Sequence, residues 1–287
     1  MRRDSSPYRK NEMNVLLAQM PIVDADVGRN LEAMLEIIEG AGGSADLIVF
    51  PETTLCGFPD ASEIDEVAMT LDSQPIQLLK AAARRGCVAL AFGVAERDGA
   101  DFYNTAVLLD REGRIALRYR KSHLWPHTDR GVFRAGDAFV VSQLDGVKIG
   151  LIVCYDVEFP EASRALARLG AQLILVLDGN MSPYGPVHRR AVTARAMENQ
   201  CFAVLVNRIG GGRGLDFAGE SMAVDPNGEV IDEVGATTPL LVTLDLSAVA
   251  ASRRDYDYLQ DARLPAVKVR ASLSVDGVAN HELMIGA

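Results

Sequence analysis

The 287-residue sequence has few cysteines, and they are not arranged for cross-linking or metal binding. Cys56, Cys87, Cys154 and Cys201 are widely spaced, with no CxxC pair and no histidine at ligand spacing. Neither a disulfide framework nor a metal site is therefore predicted. A chain of this length buries a hydrophobic core large enough to be stable without disulfides, so we expect reduced thiols and a cytoplasmic location.

The sequence also lacks segments that would target or anchor it to a membrane. No apolar run approaches the roughly 20 residues that span a bilayer. The first twelve residues, MRRDSSPYRKNE, carry four basic side chains but no apolar stretch typical of a secretory signal. We predict a soluble protein with a disordered leader over residues 1–12.

Positive charge is scarce. The 39 acidic residues outnumber the 29 basic ones and give a formal net charge of -10. Binding to nucleic acid requires a concentrated basic face, which the sequence does not contain. We therefore expect neither a nucleic-acid nor a membrane partner, and an acidic surface that favours solubility.

Helices and strands are predicted to alternate along the chain. Strands are predicted over 13–20, 46–52, 87–96, 147–156, 171–180 and 201–210, hairpins over 102–121 and 220–234, and helices over 31–38, 75–85, 160–170 and 186–200.

No linker or low-complexity tract divides the chain. We predict one α/β domain over residues 13–250. A C-terminal tail over residues 251–287 follows; it loses periodicity and is either mobile or docked on a neighbouring subunit.

Three predicted strands end in reactive side chains: Glu52, Lys121 and Cys154. In α/β folds, ligands bind where strand ends meet loops, so the three groups could share one pocket. A carboxylate in reach of a thiol could take its proton, and an ammonium could stabilise an oxyanion. Taken singly, each has an ordinary interpretation: a core cysteine, a solvated or capping acid, and a lysine on a strand edge.

Two other patterns in the sequence have alternative functional interpretations. A papain-like thiol hydrolase would pair Cys154 with one of four histidines, His123, His127, His188 and His281, but no such local signature surrounds them. The glycine-rich segment 209–214 lacks the spacing of a phosphate-binding loop and is predicted to be a flexible connection.

The motifs around the three reactive residues resemble those of the nitrilase superfamily, the carbon–nitrogen hydrolases. They read VFPETTLCGF around Glu52, YRKSHL around Lys121 and CYDVEFPE from Cys154. ARAMENQCFAVLVNR and GESMAVDPNGEV follow in the expected order, so the resemblance runs from about residue 13 to 246.

This resemblance implies roles and an architecture. Glu52 would be the general base, Lys121 would steady charge in the tetrahedral intermediate, and Cys154 would be the nucleophile of a Glu-Lys-Cys triad. The backbone N–H of Tyr155 would complete the oxyanion hole. The resemblance further implies a single-domain, four-layer αββα sandwich, no cofactor or metal, and homodimers or larger homo-oligomers that often use the C-terminal tail.

Other residues place the sequence within the superfamily. Many members carry a second glutamate after the lysine, and here the corresponding position holds the shorter Asp129. Tyr155 and Asp156 follow the nucleophile where true nitrilases tend to have Trp-Glu, which favours an amidase-like branch. Asn180 and Met181 follow a core strand where such amidases line the amide pocket, although an ordinary loop is an equal interpretation.

The sequence thus predicts an amidase that hydrolyses a small carboxamide to a carboxylic acid and ammonia through a cysteine thioester. The alternatives are an N-carbamoyl amide hydrolase, a nitrilase, a catalytically weak binding protein of the same fold, and a redox-sensing thiol protein. The redox alternative is the weakest because no resolving cysteine lies near Cys154 in sequence.

Overall fold

Two β-sheets lie face to face, and helices cover the outer surface of each. The computed structural model describes residues 11–235, 239–263 and 269–285. The strands are β1 (Glu12–Leu17), β2 (Leu47–Val49), β3 (Ala89–Asp98), β4 (Asp101–Leu109), β5 (Ile115–Arg120), β6 (Ala138–Leu144), β7 (Val147–Val153), β8 (Leu173–Leu177), β9 (Phe202–Val206), β10 (Ile209–Gly212), β11 (Leu215–Ala218), β12 (Met222–Val224), β13 (Val230–Glu233), β14 (Leu240–Asp245), β15 (Arg270–Leu273) and β16 (Ala279–Met284). The helices are α1 (Val27–Gly40), α2 (Ile64–Val67), α3 (Gln74–Gly86), α4 (Pro160–Arg168), α5 (Gly185–Asn199), α6 (Ser247–Ser252) and α7 (Tyr258–Asp261).

Each sheet is built around three parallel strands. The six-stranded sheet has the order β14-β1-β2-β3-β4-β5, with β1, β2 and β3 parallel. The eight-stranded sheet has the order β13-β12-β9-β8-β7-β6-β16-β15, with β7, β8 and β9 parallel. Parallel strands are covered on both faces, which explains why β2 and β8 consist only of buried apolar residues.

Successive side chains along a strand pack into different layers of the structure. In β1, Val15 and Leu17 belong to the apolar cluster between the two sheets, whereas Leu16 belongs to the cluster under α1 and α3. On the other side, Leu166 of α4 packs so closely on Gly150 that a Cβ there would lie 2.7 Å from its Cδ1. The result is the four-layer αββα sandwich predicted from the sequence.

Local signals fix the helix ends. Asp26 caps α1 by accepting a hydrogen bond from the backbone N–H of Arg29, and Pro186 lies in the first turn of α5. Cys87 and Gln200 end α3 and α5 in the left-handed conformation. Among the helices described, none is both long and apolar enough to cross a membrane.

Several predictions about the strands need correction. β6 and β16, which pair with each other antiparallel, were not predicted. The pairing residues of β16 come from beyond residue 278, and its sequence ANHELM is too polar to signal a strand. Segment 209–214 is not a flexible connection; it forms most of the antiparallel β10-β11 hairpin.

The two ends of the chain contribute to the sheets as far as they are described. Residues 1–10 of the predicted leader lie outside the described residues, and β1 begins at Glu12, which pairs with Asp245. In the tail, Asp276 accepts hydrogen bonds from Lys80 and from the backbone of Ile115. The described part of the tail is therefore packed on its own chain.

Gly93 of β3 lies against the backbone of the segment that carries Glu52, so a larger residue at this position should destabilise the fold. A Cβ at Gly93 would lie 2.1 Å from the backbone nitrogen of Thr53 and 2.7 Å from the carbonyl carbon of Glu52. Because backbone cannot yield as a flexible side chain does, we expect Gly93→Ala to lower the free energy of unfolding by about 1–3 kcal/mol. Urea denaturation measures this. Gly40→Ala is the control, since a Cβ at Gly40 meets nothing within 4 Å, and equal midpoints for both variants would contradict the constraint.

Candidate active site

Three strand ends bring the predicted reactive residues together in one cleft. Glu52 follows β2, Lys121 follows β5 and Cys154 follows β7, and all three line the cleft. Glu52 and Lys121 are fully buried, and Cys154 is 8% exposed. The three residues therefore share one pocket, which the strand ends allowed and the family resemblance implied.

Lys121 lies between two carboxylates. Its Nζ is 2.7 Å from Oε1 of Glu52 and 2.6 Å from Oδ2 of Asp129, and all three side chains are fully buried. Asp129 is held by the backbone N–H of Trp125, which donates to Oδ2 at 2.8 Å. The shorter carboxylate at position 129 thus reaches the lysine.

Asn104 of β4 is a site residue that sequence reasoning missed. Its Nδ2 donates to Oε1 of Glu52 at 2.7 Å and to Oδ1 of Asp129 at 3.3 Å. Its backbone carbonyl also accepts from the N–H of Lys121 at 2.8 Å. A polar residue inside the apolar strand FYNTAVLLD was the available signal, because buried amides need partners.

Burial and mutual charge set the protonation of this cluster. Burial raises the pKa of Glu52, Lys121 lowers it, and the pKa comes to about 7. Burial alone would lower the pKa of Lys121, but Asp129 and Glu52 more than offset this and raise it well above its ordinary value. Lys121 is therefore an ammonium, while Glu52 can gain or lose a proton near neutral pH.

Cys154 begins a 3-10 turn, Cys154–Glu158, directly after β7. Its φ of 45° lies in the left-handed region, where residues with a side chain are strained. The first N–H groups of a helical turn have no partner within it, so the backbone of Tyr155 presents a donor beside the thiol. Burial and the charge of Glu52 raise the pKa of the Cys154 thiol well above its ordinary value, which leaves it protonated.

Asp156 ties this turn to the segment that carries Lys121. Its Oδ2 accepts from the backbone N–H of Val153 at 3.0 Å and from the Tyr119 hydroxyl at 2.8 Å. Its Oδ1 accepts from the backbone N–H of His123 at 2.9 Å and lies 2.8 Å from Nδ1 of the same residue. One buried carboxylate therefore holds the ends of β5 and β7 together.

The second oxygen of Glu52 lies beside Gly179, at the end of β8. Oε2 has no hydrogen-bond partner among the described residues. A Cβ at Gly179 would lie 2.5 Å from this oxygen, and the backbone of Gly179 hydrogen-bonds to Cys154. A buried carboxylate oxygen that has no hydrogen-bond partner is free to accept the proton of a neighbouring thiol.

Of the four residues proposed to bind substrate, Tyr155, Asn180 and Met181 line the cleft, whereas Asp129 is fully buried against Lys121. Tyr155 packs edge-on against Trp125, with ring centroids 4.9 Å apart. Asn180 and Met181 follow β8, are almost completely buried and line the cleft. Sequence reasoning considered His188 only as a papain-like base and did not indicate the remaining wall residues: Phe58, Trp125, Thr128, Glu158, Gly179 and Tyr184.

Of the four histidines, only His188 lines the cleft. Its Nδ1 lies 3.0 Å from Oδ2 of Asp178, and its Nε2 lies 3.3 Å from Oε1 of Glu158. Burial lowers the pKa of His188, but Asp178 and Glu158 more than offset this and raise it to about 9. A histidine that is already protonated cannot serve as the base for Cys154 at neutral pH.

Two cleft residues, Cys154 and His188, form with the neighbouring Asp178 a group with metal-ligand chemistry, although no metal site was predicted. Cys154, Asp178 and His188 offer one ligand atom each, and these atoms lie within 4.8 Å of one another. Both the thiol and the imidazolium would have to lose a proton before binding a metal. The raised pKa values of Cys154 and His188 oppose this at neutral pH.

Known proteins are similar to this chain in sequence or in fold. An (R)-stereoselective amidase of Pseudomonas sp. is 49% identical over 277 residues, covering 96% of this chain and 99% of the relative. The 2-oxoglutaramate amidase of Bacillus subtilis is 34% identical, covering 82% of this chain and 91% of that protein.

A solved structure is similar in both respects. It is a glutamate-to-glutamine variant of an amidase from Nesterenkonia sp. AN1, with the acetamide moiety of fluoroacetamide added covalently at the active-site cysteine. It superposes with a TM-score of 0.79 at 30% identity, covering 89% of this chain and 95% of that one.

The sequence profile of one family, described as carbon-nitrogen hydrolase, matches residues 14–254. This match covers the strands that carry Glu52, Lys121 and Cys154. The chain therefore belongs to the carbon–nitrogen hydrolase family, as its motifs indicated.

Proposed function

We propose that this protein is an amidase that hydrolyses small carboxamides to carboxylic acids and ammonia through a thioester on Cys154. The observation that carries the proposal is Lys121 held between Glu52 and Asp129 in the cleft that contains the buried thiol. The amidase relatives and the cysteine adduct in the similar structure support the same chemistry.

In the first half-reaction, Oε2 of Glu52 takes the thiol proton and Sγ of Cys154 attacks the carboxamide carbon. Nζ of Lys121 and the backbone N–H of Tyr155 donate to the oxyanion. The carbon–nitrogen bond then breaks, and the proton on Glu52 passes to the leaving nitrogen, which departs as ammonia.

In the second half-reaction, Glu52 removes a proton from water, and the resulting hydroxide attacks the thioester carbon. The carbon–sulfur bond breaks, the acid leaves, and Glu52 returns its proton to the sulfur of Cys154. A glutamate with a pKa of about 7 is suited to both directions of transfer.

The remaining predicted residues have supporting roles in this proposal. Asp129 orients Lys121, while Tyr155, Asn180 and Met181 form walls that restrict the cleft to small substrates. The same half-reactions would accept a carbamoyl group or a nitrile, so these substrates are the alternatives. A nitrilase would yield the acid and ammonia, whereas carbamoyl hydrolysis would also release CO2.

The thiol mechanism predicts loss of turnover in Cys154→Ala. Ammonia release is measured over a panel of small carboxamides, carbamoyl compounds and nitriles, and we expect activity on carboxamides to fall at least about 10⁴-fold, because no other group in the cleft replaces the nucleophile. Cys201→Ala is the control, since Cys201 is buried and free but lies outside the cleft. Turnover retained by Cys154→Ala would refute the mechanism. Binding without turnover in the wild type would favour the binding-protein alternative.

The role of Asp129 predicts a selective effect on rate. Asp129→Asn keeps the size of the side chain but removes the charge that holds Nζ of Lys121, so kcat should fall about 10²-fold with little change in KM. Asp137→Asn, an exposed carboxylate on the same segment, should leave kcat unchanged. An unaltered kcat in Asp129→Asn would show that Glu52 alone positions the lysine.

We also propose a cytoplasmic homo-oligomer in which the C-terminal tail contributes to an interface. All four cysteines are free thiols, which supports a reducing compartment. The tail exposes large apolar side chains, which an interface would remove from water: Tyr256, Val269, Leu273, Val275 and Ile285. Light scattering should give at least twice the 30.9 kDa chain mass. Leu273→Ser should reduce that mass, and a monomeric wild type would contradict the proposal.

A further inference from the structure

His188 is a buried, charged residue of the cleft that the catalytic steps above do not use. It lies on α5, is 4% exposed, and bonds a carboxylate with each ring nitrogen. A buried charge is costly unless it is paired, so two carboxylates directed at one imidazole indicate a protonated ring.

The two partners of His188 belong to segments that follow the neighbouring strands β7 and β8. Glu158 is the last residue of the 3-10 turn that begins at Cys154. Asp178 follows β8, its backbone carbonyl accepts from the N–H of Glu52 at 3.1 Å, and it precedes Gly179. His188 therefore connects the segment that carries the nucleophile to the segment that holds the base.

The positive charge of His188 also affects the protonation of Cys154. The carboxylate of Asp178 raises the pKa of the Cys154 thiol and so opposes formation of the thiolate. An imidazolium 3.0 Å from that carboxylate compensates its charge. With a neutral His188, the charge of Asp178 near the sulfur would lose this compensation.

We propose that protonated His188 is a positioning residue, which fixes the nucleophile turn against the end of β8 and neutralises Asp178 beside Cys154. This inference rests on the proposed function only in assigning Cys154 as the nucleophile. The other charged or titratable groups that line the cleft are Glu52 after β2, Lys121 after β5, Cys154, Tyr155 and Glu158 on the turn, and Tyr184 before α5. Asp178 contacts His188 from the end of β8.

The pH profile of kcat/KM separates positioning from a merely structural role. The wild type should gain activity as Glu52 ionises through about pH 7 and lose it as His188 deprotonates through about pH 9. His188→Gln should lower kcat/KM at pH 8 about 10-fold to 100-fold and abolish the alkaline limb. The control His281→Gln, an exposed histidine of β16, should retain both limbs.

Two further variants test the carboxylate partners. Asp178→Asn and Glu158→Gln each remove a charge that raises the pKa of His188, so each should move the alkaline limb to lower pH. A mutation that only loosened the cleft would lower the rate without moving the limb. An alkaline limb that persists in His188→Gln, or stays in place in both partner variants, overturns the proposal.

Alkylation of Cys154 by iodoacetamide tests the same role without turnover. Mass spectrometry of the peptide containing Cys154 follows the reaction, and loss of the nearby positive charge in His188→Gln should slow it about tenfold at pH 8. Equal alkylation rates in wild type and His188→Gln would contradict charge compensation. If the wild type turned over no amide, the proposed function would fail while this readout still decided the role of His188.

Discussion

The buried ammonium of Lys121 is the interaction on which the rest of the site depends. Two carboxylates, Glu52 and Asp129, lie fully buried within 2.7 Å of it. Without the lysine they would repel each other in a medium that solvates neither, and removing one partner from a buried pair typically costs about 3–5 kcal/mol. The ammonium of Lys121 therefore allows Glu52 to be a carboxylate, and so a base, although it is buried.

The same cluster explains why the fold places backbone so closely around it. Gly93 lets the Glu52 segment lie directly on β3, and Gly179 lets the end of β8 approach Oε2 of Glu52. The backbone of Lys121 is also fixed, because its N–H and C=O bond to Asn104 and Gly136. Catalytic groups held by backbone on rigid strands lose little freedom on binding substrate, which is the condition for efficient proximity.

Sequence reasoning reached most of the strands and helices and the three reactive residues because these leave local signals, whereas the four-layer arrangement followed from the family resemblance. Strand ends, hairpins and helix caps depend on a few neighbouring residues. Glu52 and Cys154 each end an apolar run, and Lys121 ends a hairpin strand of mixed polarity. Asn104 and His188 could not be assigned in this way. Their partners lie up to 52 residues away in sequence, so their roles depend on how the sheets pack. β16 was missed for a similar reason, since a polar strand becomes recognisable only beside its partner β6.

The hydrogen bonds of Asp156 determine how the active site opens when the protein begins to unfold. Because its carboxylate joins Val153, Tyr119 and His123, the nucleophile turn and the lysine segment cannot separate without breaking several buried hydrogen bonds together. Local opening of the site should therefore be cooperative and rare, like the opening of a stable folding unit rather than the fraying of a loop. The arrangement of Cys154 and Lys121 would then be lost in one step, so thermal loss of activity would follow the stability of the Asp156 hydrogen bonds rather than the motion of a single loop.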